Sequence, residues 1–390
     1  MSAAALIVPS SSPRRGTPAA TVAPAADVPS GAVVSPSAAV VPPPATPRDR
    51  VLAAFDPLAR PAGPGIPAGV CLGGSWPFFV EGASLADLLR DPAGAANIFY
   101  SVNDRVGSDF VTVGTGATAL LFQALGAKVV WHPRRAPSID STLAANPGGL
   151  ARLDPAGALE SEGLAWLKAV ARETVRLNVS NRAIFVSGRA PFTLAGQLCE
   201  LEMLTRALYK DKPFVEALLA FALELTAGYF DAMLAIPGID GIFIADPSAS
   251  GDVLSAAHFR NWALPWTARL TTRLARWNKP ILLHVCGKIT DRLEQISLSG
   301  AGMISLDAKV GVGEARAILG GRLAFAGNVD PVGVLEDMDP GGVCRESKLC
   351  LDKAGAGRGG FMLLPGCDLS ARAPEPNVLA FVRAAHEYEF

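Results

Sequence analysis

Eight short apolar runs punctuate this chain, near residues 66–72, 109–113, 182–187, 239–245, 280–286, 302–306, 322–327 and 360–366. Between them lie longer segments with apolar residues at helical spacing, among them 198–208, 214–234, 256–277 and 291–299. Strands that alternate with helices belong to parallel sheets, because parallel neighbours need a long crossover and a helix supplies it. Eight such units predict an α/β fold of the (β/α)8 TIM-barrel type. The rival is an open doubly wound sheet, disfavoured because eight repeats close more naturally than they stay open. No glycine-rich nucleotide fingerprint follows a strand, and Gly311, Gly313, Gly320 and Gly321 read as turns. Half of the 390 residues are hydrophobic, enough for one large barrel core.

Residues 1–47 differ from the rest. They are Ala, Pro, Ser and Val with little charge and no aromatic residue, and Pro42-Pro43-Pro44 stands near their end. Such a composition cannot bury enough apolar surface to fold, so a disordered leader is expected, followed by a single barrel domain over 48–390. Arg14-Arg15 after a serine run, with no acid before Asp27, is the pattern of an organelle transit peptide. A bacterial low-complexity leader or a misplaced start codon would look the same. Thr46-Pro-Arg-Asp49 opens a short capped helix.

A net charge of −1 excludes a basic footprint for nucleic acid. The six cysteines (Cys71, Cys199, Cys286, Cys344, Cys350, Cys367) are too few and too irregular for a disulfide framework. No uninterrupted run of about 18 apolar residues predicts a membrane span. The expected place is the cytoplasm, or a plastid or mitochondrion if the leader is a transit peptide.

In such barrels the active site lies at the C-terminal ends of the strands. Polar groups collect there: Arg189 and Thr193, Asp246, His284 with Cys286, Asp307, Asn328 and Cys367. Side chains at i and i+2 of a strand share a face, so His284 and Cys286 point the same way. If the strand before Cys367 neighbours theirs, the three converge as one imidazole and two sulfurs, the donor set of a catalytic zinc with its fourth position left open. Taken singly, the pair His284-x-Cys286 is weak, since buried cysteines commonly act as small hydrophobes. Asp246 and Asp307 also read as helix caps, and Asn328-Val-Asp-Pro331 as a turn. His132, His258 and His386 have no partner spacing, Cys344 and Cys350 look incidental, and Cys71 has a small chance of reaching the rim.

The rim motifs Gly188-Arg-Ala-Pro-Phe-Thr-Leu194, Asp246-Pro-Ser-Ala-Ser-Gly-Asp252, His284-Val-Cys-Gly287, Gly302-Met-Ile-Ser-Leu-Asp307, Gly327-Asn-Val-Asp-Pro331 and Gly366-Cys-Asp-Leu369 resemble the uroporphyrinogen decarboxylase superfamily, over about residues 50–390. True decarboxylases of that superfamily carry an Arg-rich segment near the start, where this chain reads Cys71-Leu-Gly-Gly-Ser-Trp-Pro-Phe-Phe79. They carry an Asp after the second strand, where Phe110-Val-Thr-Val-Gly-Thr115 has no acid. Gln197 replaces a Tyr, and Gly366-Cys367-Asp368 replaces Gly-His-Gly. A substrate with eight carboxylates needs cations at the mouth, and in the matched motifs there only Arg189 supplies one.

The resemblance is closer to the zinc-dependent, corrinoid-linked methyltransferases of the superfamily, whose His-x-Cys and late Cys fall on His284, Cys286 and Cys367. The stretch Ala124-Leu-Gly-Ala-Lys-Val-Val-Trp-His132 is loosely similar to the same branch. The resemblance implies Zn2+ on those three residues and a methyl group exchanged between methylcobalamin on a separate corrinoid protein and a small thiol or methylated substrate. Asp307 is a candidate to orient His284 or to occupy the fourth metal position at rest, and Asp246, Asn328 and Gln197 are candidates for substrate contacts. The alternatives are a metal-free decarboxylase acting on a porphyrinogen and a binding barrel without catalysis.

Overall fold

The computed structural model describes residues 45–61, 63–70, 74–133 and 135–390; most of the predicted leader and Cys71 lie outside them. Seven strands form one parallel sheet: β1 (Phe110–Val113), β4 (Ala183–Arg189), β5 (Gly241–Ala245), β6 (Ile281–Val285), β7 (Met303–Leu306), β8 (Ala324–Ala326) and β9 (Phe361–Met362), paired in that order. Each matches a predicted run. The run at 66–72 is not a strand over its described part, yet its backbone is paired on both sides. Leu363 N–H donates to Pro67 O at 2.9 Å, Gly69 N–H to Leu363 O at 3.1 Å, and Asp109 N–H to Ala68 O at 2.7 Å. The segment thus lies between the last strand and the first.

Alternation along the strands sorts two cores. Inward residues Phe110, Ala183, Phe185, Phe243, Leu282, Met303, Ala324 and Met362 fill the space the sheet curls around, with Val51 of the first helix and Ala54 at its C-cap. The intervening residues, such as Ile184, Ile242, Leu283 and Ile304, pack outward under the helices. Each buried side chain of this size contributes about 1.5–3 kcal/mol. The first helix, Pro47–Ala53, starts where the sequence predicts: Thr46 accepts from Asp49 N–H and the Asp49 carboxylate accepts from Thr46 N–H.

Two expectations need correction, and one element was not anticipated. A hairpin, β2 (Val129–His132) with β3 (Arg135–Ile139), stands apart from the main sheet as an antiparallel pair. Pro133 and Pro137 obscure it in the sequence, because proline is rare inside strands. The predicted helix 198–208 is two helices, Pro191–Cys199 and Leu201–Lys210, separated at Glu200 with φ 70°. The Leu198 carbonyl, which a continuous helix would give to residue 202, instead accepts from Leu143 and Ala144 N–H. Gly313 lies inside the helix Val312–Leu319, whereas Gly320 is its left-handed cap. The helix Lys212–Leu234 is long and apolar enough to cross a membrane by length and composition; twelve of its residues are buried, and it packs against Pro191–Cys199 and Leu264–Leu274.

Candidate metal centre and its cavity

Strand register builds the site. Arg189, Ala245, His284, Ser305, Ala326 and Met362 are successive partners across β4 to β9, one layer of the sheet. His284 lies two residues beyond the inward-facing Leu282, so it faces inward too, in the layer nearest the C-terminal rim. Its neighbours Ala245, Ser305 and Ala326 are small, which leaves room for an imidazole. Cys286 follows on the same face just past β6. Cys367 comes from the extended run after β9.

The predicted convergence is present, by a different route. β6 and β9 are not neighbours; β7 and β8 lie between them. The side chains meet over the mouth instead, with Cys286 Sγ 3.9 Å from Cys367 Sγ and His284 Nε2 3.1 Å from Cys286 Sγ. All three donor atoms lie within 4.8 Å of one another. Tetrahedral zinc with bonds of about 2.3 Å to sulfur sets its two sulfurs about 3.8 Å apart. The donor set and spacing fit that ion with no rearrangement of strands.

His284 is 3% exposed, and its Nδ1 lies 3.1 Å from Ser305 Oγ, which aims Nε2 at the sulfurs. The thiols share charge unequally. Cys367 is held well below the usual thiol range because Cys286 and His284 hydrogen-bond to its sulfur. Cys286 is pushed up by the same bond to Cys367 and by burial.

Among the described residues Asp307 makes no hydrogen bond to His284. Its Oδ2 accepts from Gly287 N–H at 2.8 Å and its Oδ1 from Lys309 N–H at 2.9 Å, so it fixes the turn after Cys286. Ser305 takes the orienting role, being the β7 residue in register with His284. The sequence held that signal, since Ser305 and Asp307 share a face by the two-residue period.

Asn328 is also spent on structure, its amide nitrogen donating to the carbonyls of Asp307 at 3.0 Å and Val310 at 2.6 Å. These bonds are what the turn reading of Asn328-Val-Asp-Pro331 expects. Asp246 is 1% exposed and accepts from the Thr193 hydroxyl at 2.6 Å and backbone N–H at 3.1 Å. Burial pushes its carboxyl up to about 6, against those two bonds and the Arg189 charge.

Beside the triad is a cavity of about 700 Å³, lined by parts of 114–119, 136–142, 187–189 and 196–201 with Phe243, Ala245 and Asp368. It adjoins the metal site: the rings of Phe243 and His284 are 6.3 Å apart, and Asp368 follows Cys367. Gln197 lines it, with Oε1 buried and no hydrogen-bond partner. The hairpin that sequence reading missed forms one wall.

The remaining candidates resolve plainly. Burial raises the thiols of Cys199 and Cys350 to about 11, which keeps them inert. His258 faces Ser255 Oγ at 2.9 Å, His132 lies 3.0 Å from Ser138 Oγ, and His386 pairs with Asp109 at 2.7 Å.

Residues 46–388 match the family described as Uroporphyrinogen decarboxylase (URO-D). The methylcobamide:CoM methyltransferase MtbA of Methanosarcina acetivorans is 30% identical over 183 residues, 47% of this chain and 52% of the relative. The chain therefore spans about half the length of that relative. MtaA of Methanosarcina barkeri, a methylcobamide:CoM methyltransferase, is 30% identical over 69% of this chain and 77% of its own length. A uroporphyrinogen decarboxylase of Geobacter sulfurreducens is also 30% identical, over 51% of this chain and 58% of its own. A solved methyltransferase from Methanosarcina mazei shares the fold with a TM-score of 0.77 at 23% identity, over 87% of this chain and 98% of that one.

Proposed function

The chain belongs to the uroporphyrinogen decarboxylase (URO-D) family, and from that premise we propose that it is a zinc-dependent methyltransferase. It moves a methyl group between a corrinoid carried by a partner protein and a small thiol or methylated substrate. The carrying observation is the cluster of His284 Nε2 with the sulfurs of Cys286 and Cys367, all within 4.8 Å, at the rim of a curled parallel sheet. On this reading the sheet is a closed (β/α)8 barrel over 48–390, with 66–70 as its first stave.

His284, Cys286 and Cys367 would hold the metal, which supplies Lewis acidity and keeps a sulfur ligand deprotonated near neutral pH. Ser305 holds the imidazole in one orientation. Asp307 and Gly287 set the turn that carries Cys286. The neighbouring cavity receives the small substrate, with Gln197 as a contact, and the rim offers the face on which a corrinoid protein docks transiently.

Decarboxylase relatives at the same identity keep the second reading in play. The cavity speaks against it, because Arg189 is the single Lys or Arg among the described side chains that line it, beside Asp140, Glu200 and Asp368. A substrate with many carboxylates calls for more cationic partners than that one side chain.

Metal analysis tests the proposal. Purified protein is expected to hold about one zinc per chain, with Cys367→Ala losing it. Zinc-free protein that decarboxylates uroporphyrinogen would reverse the assignment.

A further inference from the structure

Among the described residues, one pair of cysteine sulfurs lies in direct contact. Cys286 Sγ and Cys367 Sγ are 3.9 Å apart, although the residues are 81 positions apart in the chain. Cys199, Cys344 and Cys350 are free thiols too, the first and last of them buried. A disulfide holds its sulfurs about 2.05 Å apart, so the pair stands about 2 Å from bonding. Both residues are half-buried at the mouth of the curled sheet, within reach of a small hydrophilic oxidant.

The two sides of that gap are not equally fixed. Cys286 leaves β6 into a turn clamped on both sides. Gly287 N–H donates to Asp307 Oδ2 at 2.8 Å, and Asp246 N–H donates to His284 O at 2.8 Å. Cys367 sits in a bend after Gly366, whose N–H donates to Val329 O at 2.7 Å. Neither the N–H nor the carbonyl of Cys367 itself makes a backbone hydrogen bond with a described residue. The closing motion therefore falls to Cys367.

We propose that Cys286 and Cys367 form a reversible oxidation site, a sulfur pair that a hydroperoxide converts to a disulfide and a dithiol restores. One sulfur attacks the peroxide: its S–O bond forms as the O–O bond breaks, and the departing oxygen leaves as water with the thiol proton. The second sulfur attacks that sulfenic acid; the S–S bond forms as the S–O bond breaks, and hydroxide leaves as water with the second thiol proton. Two thiols and hydrogen peroxide thus give a disulfide and two waters, with two electrons passing from sulfur to the peroxide. A neighbour at 3.9 Å traps the sulfenic acid before the irreversible step to sulfinic acid. Sulfurs bonded to each other are no longer thiolates, the form that ligates a metal, so the oxidised site keeps only His284 of its three donors. That consequence rests on the metal reading above; the disulfide does not.

Full-length protein, as purified and again after zinc loading, is titrated with hydrogen peroxide and followed by intact mass, peptide mapping and a chromogenic zinc chelator. Wild type should lose two hydrogens per chain, with Cys286 and Cys367 cross-linked, and dithiothreitol should restore the starting mass. Zinc should enter solution in step with the disulfide. Cys367→Ser lacks the trapping sulfur, so it should gain oxygen at Cys286 and resist dithiothreitol. Cys286→Ser should do the same at Cys367, and either variant suffices should the other fail to fold. Cys344→Ser should oxidise as the wild type does. A cross-link mapped elsewhere, oxygen added to wild-type Cys286 or Cys367 as readily as in the serine variants, or an unchanged mass in excess peroxide overturns the site. A Cys286–Cys367 disulfide in protein that binds no zinc when reduced upholds the oxidation site and overturns the metal reading. Zinc-loaded protein whose sulfurs resist peroxide does the reverse.

Discussion

At the residue scale, two side chains set the chemistry without being metal donors. Ser305 Oγ, 3.1 Å from His284 Nδ1, is all that fixes the ring's rotation on its far side. Partners of this kind typically carry 10–100-fold in metal affinity. Ser305→Ala is therefore expected to weaken zinc binding by about that factor with the melting curve nearly unchanged, measured by competition with a chelator; unchanged affinity would remove Ser305 from the site. Asp246 makes a separate, pH-dependent prediction. Its carboxyl titrates near 6 in the fold against an ordinary 3.8, because burial opposes its charge. Between those values the folded state binds more protons than the unfolded one, so stability falls as pH rises from about 4 to about 6 and then levels. The gap corresponds to at most about 3 kcal/mol at pH 7. Asp246→Asn still accepts from Thr193 and carries no charge. It should be more stable than wild type at pH 7 by about 1–3 kcal/mol, with the advantage vanishing near pH 4; a constant difference across urea titrations at both pH values would contradict this.

Among the elements, the turn after β6 is the most constrained. Gly287 sits at φ 73°, and a Cβ there would meet Asp252 Oδ2 at 2.3 Å and Ser250 Oγ at 2.6 Å. Gly287→Ala should cost about 1–3 kcal/mol and displace Cys286, read as a lower unfolding midpoint together with weaker zinc binding. If only stability falls, the turn does not position the sulfur. This turn was half legible: His284-Val-Cys286 announced the ligands, but the glycine's conformation depends on β5-loop atoms distant in sequence. The main strands were legible because their apolar runs are buried on both faces and need no tertiary context. The hairpin of β2 and β3 was not, since its prolines mask its pattern. The break at Glu200 was hidden for another reason, as the competing donors come from Leu143 and Ala144, more than fifty residues earlier. At the site, donors could be listed by type, while the choice of Ser305 over Asp307 as the orienting group needed strand register.

For the whole molecule, the decisive place is the seam where the sheet's ends approach. Asp109, 0% exposed, stands just before β1 and gathers three donors: Ala68 N–H at 2.7 Å, His386 Nε2 at 2.7 Å and the Arg50 guanidinium. One carboxylate thereby joins the first helix, the 66–70 segment, β1 and the last helix, Glu375–His386. The chain's C-terminal end adds Gly65 N–H to Tyr388 O at 3.1 Å and Ile66 N–H to Ala385 O at 2.9 Å. Removing one member of a buried charged cluster leaves the others desolvated and unpaired, which costs about 3–5 kcal/mol. A typical domain has only about 5–15 kcal/mol in total. Asp109→Ala should therefore move the urea midpoint sharply down, whereas Asp109→Asn, still able to accept from Ala68, should lose less. The triad draws its ligands from β6 and β9 at the opposite ends of the strands, so zinc content per folded chain should stay at the wild-type level in both variants. Loss of zinc alongside stability would mean that the seam, and not only local register, holds Cys367 against Cys286.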